Sequence, residues 1–333
     1  MEALKKALSD RFGLEGDIHL RRVEAGFLSE NHFVSCGGAK YFLKGYQSGN
    51  ESKIAEIHKV KHFFASKGIP VILPIPGKDG KTYFTIGEKL FALFPFVSGI
   101  HYDRGTIPKT AIEALGVLLA DLHKAGARAD FSIAAGFKDK GRETFLAVAR
   151  EISGLIKKRP VLDDFDRRAL AGLEEKIALS IRQIEPAEKL LTEPYILLQG
   201  DFHEQNVFFS DERTIKAVFD FEKAMIGPRS YELWRSADYM FLNGDFSEKR
   251  ISNAIAYLTA YNRENPISPE ELGAGLDVYY QRLIHSLWVE QEHYLKNNTR
   301  VDRFLDRTTI PFLAANKEAF KKRMIEAVYG GGQ

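Results

Sequence analysis

Apolar and polar positions alternate with two different periods in this chain, and the change falls near residue 100. Residues 18–24, 32–36 and 40–44 are short β-rich runs separated by Ala25-Gly26 and Gly37-Gly38, which predicts an antiparallel meander. Ile54, Ile57, Val60 and Phe64 then recur at helical spacing over residues 51–67, and Gly68 with Pro70 closes that helix. Residues 71–73, 82–86 and 89–94 return to strand character, giving an amino-terminal part of about six strands and one main helix. Beyond Pro108 the period becomes helical. Ile112, Leu115, Leu118, Leu119 and Leu122 mark one amphipathic helix, residues 140–184 two more, and the pattern stays helical from Pro228 onward. A β interlude over residues 195–219 interrupts it. The expectation is an α+β chain with an antiparallel sheet in residues 1–98 and a mainly helical part in 99–333.

A chain of 333 residues exceeds the size at which one core usually stops growing, so two lobes are expected. Composition changes this picture little. Forty-seven basic and forty-five acidic side chains leave a net charge of +2, which prompts neither a nucleic-acid nor a membrane partner. The single cysteine, Cys36, forms no internal disulfide or Cys-rich zinc site, and no apolar run approaches a membrane span, so a cytoplasmic setting is the simplest expectation.

The β interlude carries the candidate chemistry. Tyr195-Ile196-Leu197-Leu198 reads as a buried strand that delivers Gly200-Asp201 at its carboxyl end. Asn206 follows five residues after Asp201, then Val207-Phe208-Phe209, a polar turn, and a second β run into Asp220. Folded as a hairpin about Arg213, the stretch sets Phe209 opposite Ala217 and Val207 opposite Phe219, bringing Asn206 opposite Asp220. Two oxygen donors beside a carboxylate suit phosphoryl transfer, in which the protein mainly positions groups and spreads charge. Asp238 and Asn243 share the same spacing but lie in a helical run, which makes that second pair structural.

The run Gln199-Gly200-Asp201 to Asn206, followed by Asp220-Phe221-Glu222 and then Gly227-Pro228-Arg229-Ser230-Tyr231-Glu232-Leu233, resembles the aminoglycoside phosphotransferase and choline kinase family, small-molecule relatives of the protein kinases. The resemblance implies a two-lobed protein-kinase-like fold and an ATP- and magnesium-dependent phosphotransferase, with Asp201 as catalytic base and Asn206 and Asp220 as metal ligands. It also implies that Lys44 grips the nucleotide phosphates, with Glu56 as its partner and Glu51 as the competitor for that role. Ser29 belongs to the loop, residues 25–31, that covers phosphates in relatives, and Pro95 and Val97 to the interlobe hinge that reads adenine. Gln199 departs from the family's usual histidine, which leaves the bracing of this loop open.

The resemblance implies a small-molecule hydroxyl acceptor: an aminoglycoside, amino alcohol, sugar or amino acid such as homoserine. A bacterial Ser/Thr protein kinase and a non-catalytic, spore-coat-like nucleotide-binding protein are the alternatives. Residues 130–189 and 245–323 mix both signs without a dense acidic cluster, so a polycationic acceptor is only one option. Other features read as structure. Gly80-Lys81-Thr82 is a turn and not a P-loop, His58 and His62 are helix packing, and His203-Glu204 is an isolated pair. Leu276, Tyr280, Leu283, Leu287 and Tyr294 would share one core-facing helix face, while His285, Trp288 and Glu292 would line an acceptor pocket.

Overall fold

A computed structural model describes residues 1–23, 30–46, 49–103, 105–138, 141–182, 187–305 and 308–330. The chain opens with helix α1 (Glu2–Phe12), strands β1 (His19–Arg22), β2 (His32–Cys36) and β3 (Ala39–Tyr46), helix α2 (Glu51–Ser66), and strands β4 (Phe84–Ile86) and β5 (Lys89–Pro95). Helices α3 (Lys109–Gly126), α4 (Arg142–Lys157) and α5 (Asp164–Arg182) follow. Four short strands come next: β6 (Ile196–Leu198), β7 (Val207–Phe209), β8 (Ile215–Val218) and β9 (Met225–Gly227). Helices α6 (Arg229–Ala237), α7 (Glu248–Glu264), α8 (Pro269–Ile284), α9 (Trp288–Lys296) and α10 (Thr309–Tyr329) complete the chain. The expected α+β architecture is the one that forms, an amino-terminal antiparallel sheet and a mainly helical remainder.

Two compact units emerge. The first comprises Met1–Tyr102, Ala129–Ile133 and Gln199–Ala224; the second comprises Asp103–Arg128, Ala134–Leu198 and Met225–Gln333. In the first, five strands pair antiparallel in the order β1-β2-β3-β5-β4. Val34 and Cys36 of β2 alternate inward, and with Leu43, Phe84, Phe91 and Leu93 they pack against Leu4 and Leu8 of α1. Helix α2 starts at Asn50, whose side chain accepts the Lys53 N–H, and buries Ile54, Ile57, Val60 and Phe64, as its period requires. Burying each of those four side chains contributes about 1.5–3 kcal/mol.

Two expectations fail here for local reasons. Residues 71–73 add no sixth strand, because Pro70 and Pro74 flank them; Val71 forms a single parallel bridge to Val218 instead. The β7–β8 register is Val207 with Val218 and Phe208 with Ala217, one residue from the expected pairing. Asp211 accepts the N–H groups of Arg213 and Thr214, and this side-chain turn with an irregularity at Phe208/Phe209 absorbs the difference. Asn206 therefore faces Phe219, whose N–H donates to the Asn206 carbonyl at 3.0 Å.

The second unit packs around α3. Ile112, Leu115, Leu119 and Leu122 are buried, and a Cβ on Gly116 would lie 2.6 Å from the Tyr257 carbonyl, so glycine is what lets α7 come this close. His123 of α3, fully buried, hydrogen-bonds Glu232 at 2.9 Å and Tyr261 at 2.8 Å. Arg229 is held by both oxygens of Glu271, at 2.6 and 2.9 Å. The Asp238–Asn243 pair is structural, as expected: Asn243 adopts a left-handed conformation and its N–H donates to the Asp238 carbonyl. The predicted single helix over residues 276–294 is two helices, broken between Ile284 and Trp288. Leu276, Leu283 and Leu287 are nevertheless buried.

Candidate active site

Strand β6 hands the chain to Gln199, whose side chain is fully buried. Gly200 follows with φ 85°, and a Cβ there would sit 1.8 Å from the carbonyl oxygen of Lys223. Only glycine permits that approach, which lays residues 199–201 directly on the loop after β8. The Gln199 side chain then ties the two loops together. Its oxygen accepts the Asp201 N–H at 2.7 Å, and its amide donates to the carbonyls of Asp220 at 2.5 Å and Phe219 at 3.3 Å.

Asp201 is largely buried and its carboxylate lies 3.0 Å from the Lys223 ammonium and 3.9 Å from His203 Nε2. Asn206 closes the short turn Glu204–Asn206. Its amide donates to the Asp201 carbonyl at 2.9 Å and lies 3.2 Å from His203 Nε2, which turns its oxygen, Oδ1, away from these contacts. His203, expected to be mere packing, thus touches both Asn206 and Asp201.

Asp220 has φ 59°, a conformation rare outside glycine and tolerated by aspartate. That backbone turn, rather than ladder register, carries its carboxylate out of the β8 line. The next residue, Phe221, is fully buried against Phe64 of α2, with ring centroids 5.5 Å apart, and anchors the loop. Lys44, on β3 opposite Ala92, ion-pairs with Asp220 at 3.3 Å and with Glu222. Burial disfavours the Lys44 ammonium, but the two carboxylates outweigh it and hold its pKa above the ordinary lysine value.

The structure therefore gathers Asp201, Asn206, Asp220 and Lys44 on one pair of loops and the strand beside them. Glu56 lies half-buried on α2, whereas the carboxylates that meet Lys44 are Asp220 and Glu222 from the loop after β8. Glu51 accepts the Tyr83 hydroxyl. Pro95 ends β5 opposite Tyr41, and the chain runs on through Val97 to Ile100, which exchanges backbone hydrogen bonds with Phe209 of β7. Ser29 lies outside the described residues.

The sequence pattern assigns no role to Glu222, Lys61 or Lys223. Lys61 was detectable: it occupies the apolar stripe of α2 between Ile57 and Phe64, where a charge is out of place. It is 4% exposed, with its ammonium 4.4 Å from the centroid of the Phe94 ring, and burial pulls its pKa down to about 7, the Lys44 charge adding to the effect. His58 is structural as expected, buried between Tyr46 and Thr82.

Among the described residues no group of three or more His, Cys, Asp or Glu side chains could hold a metal. Asn206 and Asp220 offer two hard oxygen donors, which fits magnesium if phosphate oxygens and water supply the rest. In the second unit, a pocket of about 410 Å³ is lined among others by Tyr231, Arg235, Arg282, His285, Trp288 and Glu292. The last three are the residues expected to line a pocket.

Known proteins share both the sequence and the fold. The match to a homoserine kinase of Afipia carboxidovorans is 26% identical over 213 residues, 63% of this chain and 59% of that enzyme. A homoserine kinase of Brucella anthropi is 24% identical over 76% of this chain and 72% of its own length. The chain thus spans about three-fifths of the first relative and somewhat more of the second. A spectinomycin phosphotransferase in complex with ADP and spectinomycin superposes with a TM-score of 0.66 at 14% identity, over 98% of this chain and 97% of that one. A microcompartment-associated aminopropanol kinase gives 0.61 at 15% identity, over 97% and 99%. The fold is that of the protein-kinase-like phosphotransferases. A sequence model of the phosphotransferase enzyme family matches residues 19–267, a span containing Lys44, Asp201, Asn206 and Asp220, and the chain belongs to that family.

Proposed function

We propose that the protein is an ATP-dependent kinase that moves the γ-phosphoryl group of ATP to a hydroxyl of a small molecule. The observation that carries this reading is the convergence of Lys44, Asp201, Asn206 and Asp220 on two loops pinned by Gln199. Asp201 is the base. As the acceptor oxygen forms its bond to the γ-phosphorus, the bond from that phosphorus to the β–γ bridging oxygen breaks, ADP leaves, and the hydroxyl proton passes to the Asp201 carboxylate. Lys44, kept protonated by Asp220 and Glu222, provides a fixed cation for the nucleotide phosphates. Asn206 and Asp220 are the residues that would hold magnesium, which offsets phosphate charge when bound.

Membership of the family supports this reading, and the kinase names of its relatives agree with it. Among the described residues no helix is long and apolar enough to cross a membrane. The test is release of ADP from magnesium-ATP by purified protein across a panel of hydroxylated metabolites and aminoglycosides, with the phosphorylated product identified by mass spectrometry. Turnover by the wild type and its loss in Asp201→Ala is the expected result. ATP binding without turnover on any acceptor overturns it in favour of a non-catalytic nucleotide-binding protein.

A further inference from the structure

The pocket of the second unit has a lopsided charge. Lys138, Arg235, Arg282 and Lys296 line it, while Glu292 is its one lining carboxylate among the described residues. Glu292 is already committed: Lys296 pairs with it at 2.5 Å and the Asn298 amide donates to it at 2.8 Å, and these contacts hold its pKa below the ordinary glutamate value. Its charge is offset before any ligand arrives.

Arg282 is held differently from most structural arginines. One nitrogen, Nη1, donates to the Lys138 carbonyl at 2.7 Å, and the guanidinium lies 4.4 Å from the Phe137 ring centroid and 5.5 Å from that of Tyr231. Aromatic faces and one carbonyl position the group, and no carboxylate among the described residues pairs with it. Arg235, 7% exposed, lies 4.4 Å from the centroid of the Tyr239 ring. The Arg282 guanidinium, fixed this way, keeps donors for a planar or tetrahedral oxyanion, which it can bind with two parallel hydrogen bonds. A polycation would meet like charge here instead.

We infer that this pocket takes a ligand bearing an oxyanion, a carboxylate or a phosphate, with Arg282 as the residue that reads it. Resting on the kinase reading above, the acceptor is a hydroxy acid or a hydroxylated phosphate ester rather than an aminoglycoside. The pocket volume suits a metabolite-sized molecule. Stacking on Phe137 and Tyr231 aims the guanidinium, and the side chains of Trp288 and Tyr279 supply apolar wall for the carbon skeleton.

The test is direct binding by calorimetry, made independently of turnover, with four probes: 4-hydroxybutyrate, 4-hydroxybutyramide, glycerol 3-phosphate and glycerol. At least one anionic probe should bind about tenfold or more tightly than its uncharged counterpart, because a site built for a polar group leaves that group unpaired when the partner is missing. The hydroxybutyrate pair reports a carboxylate and the glycerol pair a phosphate. Arg282→Gln should abolish the preference, and Arg282→Lys, which keeps the charge and loses the fork, should retain part of it; thermal melts of both variants check that they fold. Equal binding of charged and uncharged members, or a preference untouched by Arg282→Gln, overturns the inference. Anion-selective binding without ADP release from any probe or panel member would sink the kinase reading and leave the binding site standing.

Discussion

The Gln199 side chain donates to the Asp220 carbonyl at 2.5 Å while accepting the Asp201 N–H at 2.7 Å, so one buried amide spans the loop of Asp201 and the loop of Asp220. A carboxamide can do both at once because it carries a donor and an acceptor on one sp² carbon. Gln199→Ala leaves a buried carbonyl and a buried N–H without this partner, and we expect kcat to fall roughly 10–100-fold, about 1.4–2.8 kcal/mol. Gln199→Glu should be as harmful, since it removes the donor to Asp220. Titrating magnesium in the same assays should show a raised half-saturating concentration. Wild-type values for both quantities in Gln199→Ala would refute the bracing role.

Asp201→Asn retains the shape of the base and removes its ability to take a proton. A positioned base is worth ~10²–10⁴ in rate, or about 3–5 kcal/mol. Nucleotide affinity, measured by calorimetry, should change by less than about threefold, because the proposed role of Asp201 is on the acceptor hydroxyl and not on the nucleotide. Near-wild-type kcat would remove Asp201 from the chemistry.

Glu222, not Glu56, shares Lys44 with Asp220 in this structure. Replacing each glutamate by glutamine separates the two possibilities. Glu222→Gln should raise the KM for ATP roughly 5–50-fold, the loss of one charge-assisted contact worth about 1–2 kcal/mol. Glu56→Gln should move it less than about twofold, and the opposite ranking would restore Glu56 as the partner of Lys44.

Gly200→Ala is predicted to be the most disruptive small substitution in the site. The added methyl would lie 1.8 Å from the Lys223 carbonyl oxygen, a backbone atom, at a φ of 85°. The loops would have to separate, and a loss of stability of about 3 kcal/mol or more is expected from the clash and the left-handed strain together. Chemical denaturation measures it directly.

Lys61 makes stability depend on pH. Its pKa falls from an ordinary value of 10.5 to about 7 in the fold, chiefly through burial. Between those values the unfolded chain binds the proton that the folded chain has released, so this residue makes stability rise from pH 7 toward pH 10 and lowers it as the pH falls through 7. Lys61→Met should stabilise the protein at pH 7 by on the order of 1–4 kcal/mol and flatten the rise. A parallel rise in both proteins would mean that Lys61 is solvated.

Much of this was legible in the chain itself. Strict periodicity over residues 54–64 and 112–122 marked α2 and α3, because burying one face of a helix demands it. The proximity of Asp201, Asn206 and Asp220 was legible because the strand, turn and strand around them are local. Wherever a single residue of register mattered, local pattern was insufficient. The Asp211 turn moved the β7–β8 pairing by one, and the left-handed backbone of Asp220 sets where its carboxylate goes. Tertiary structure alone joined Lys44 to Glu222, 178 positions apart, buried Lys61 in a stripe the sequence made apolar, and put Gln199 across two loops. Residue type and spacing determine which groups can donate, accept or carry charge. Which of them meet depends on backbone turns and close approaches, such as that of Gly200 to Lys223, that have no signature in periodicity.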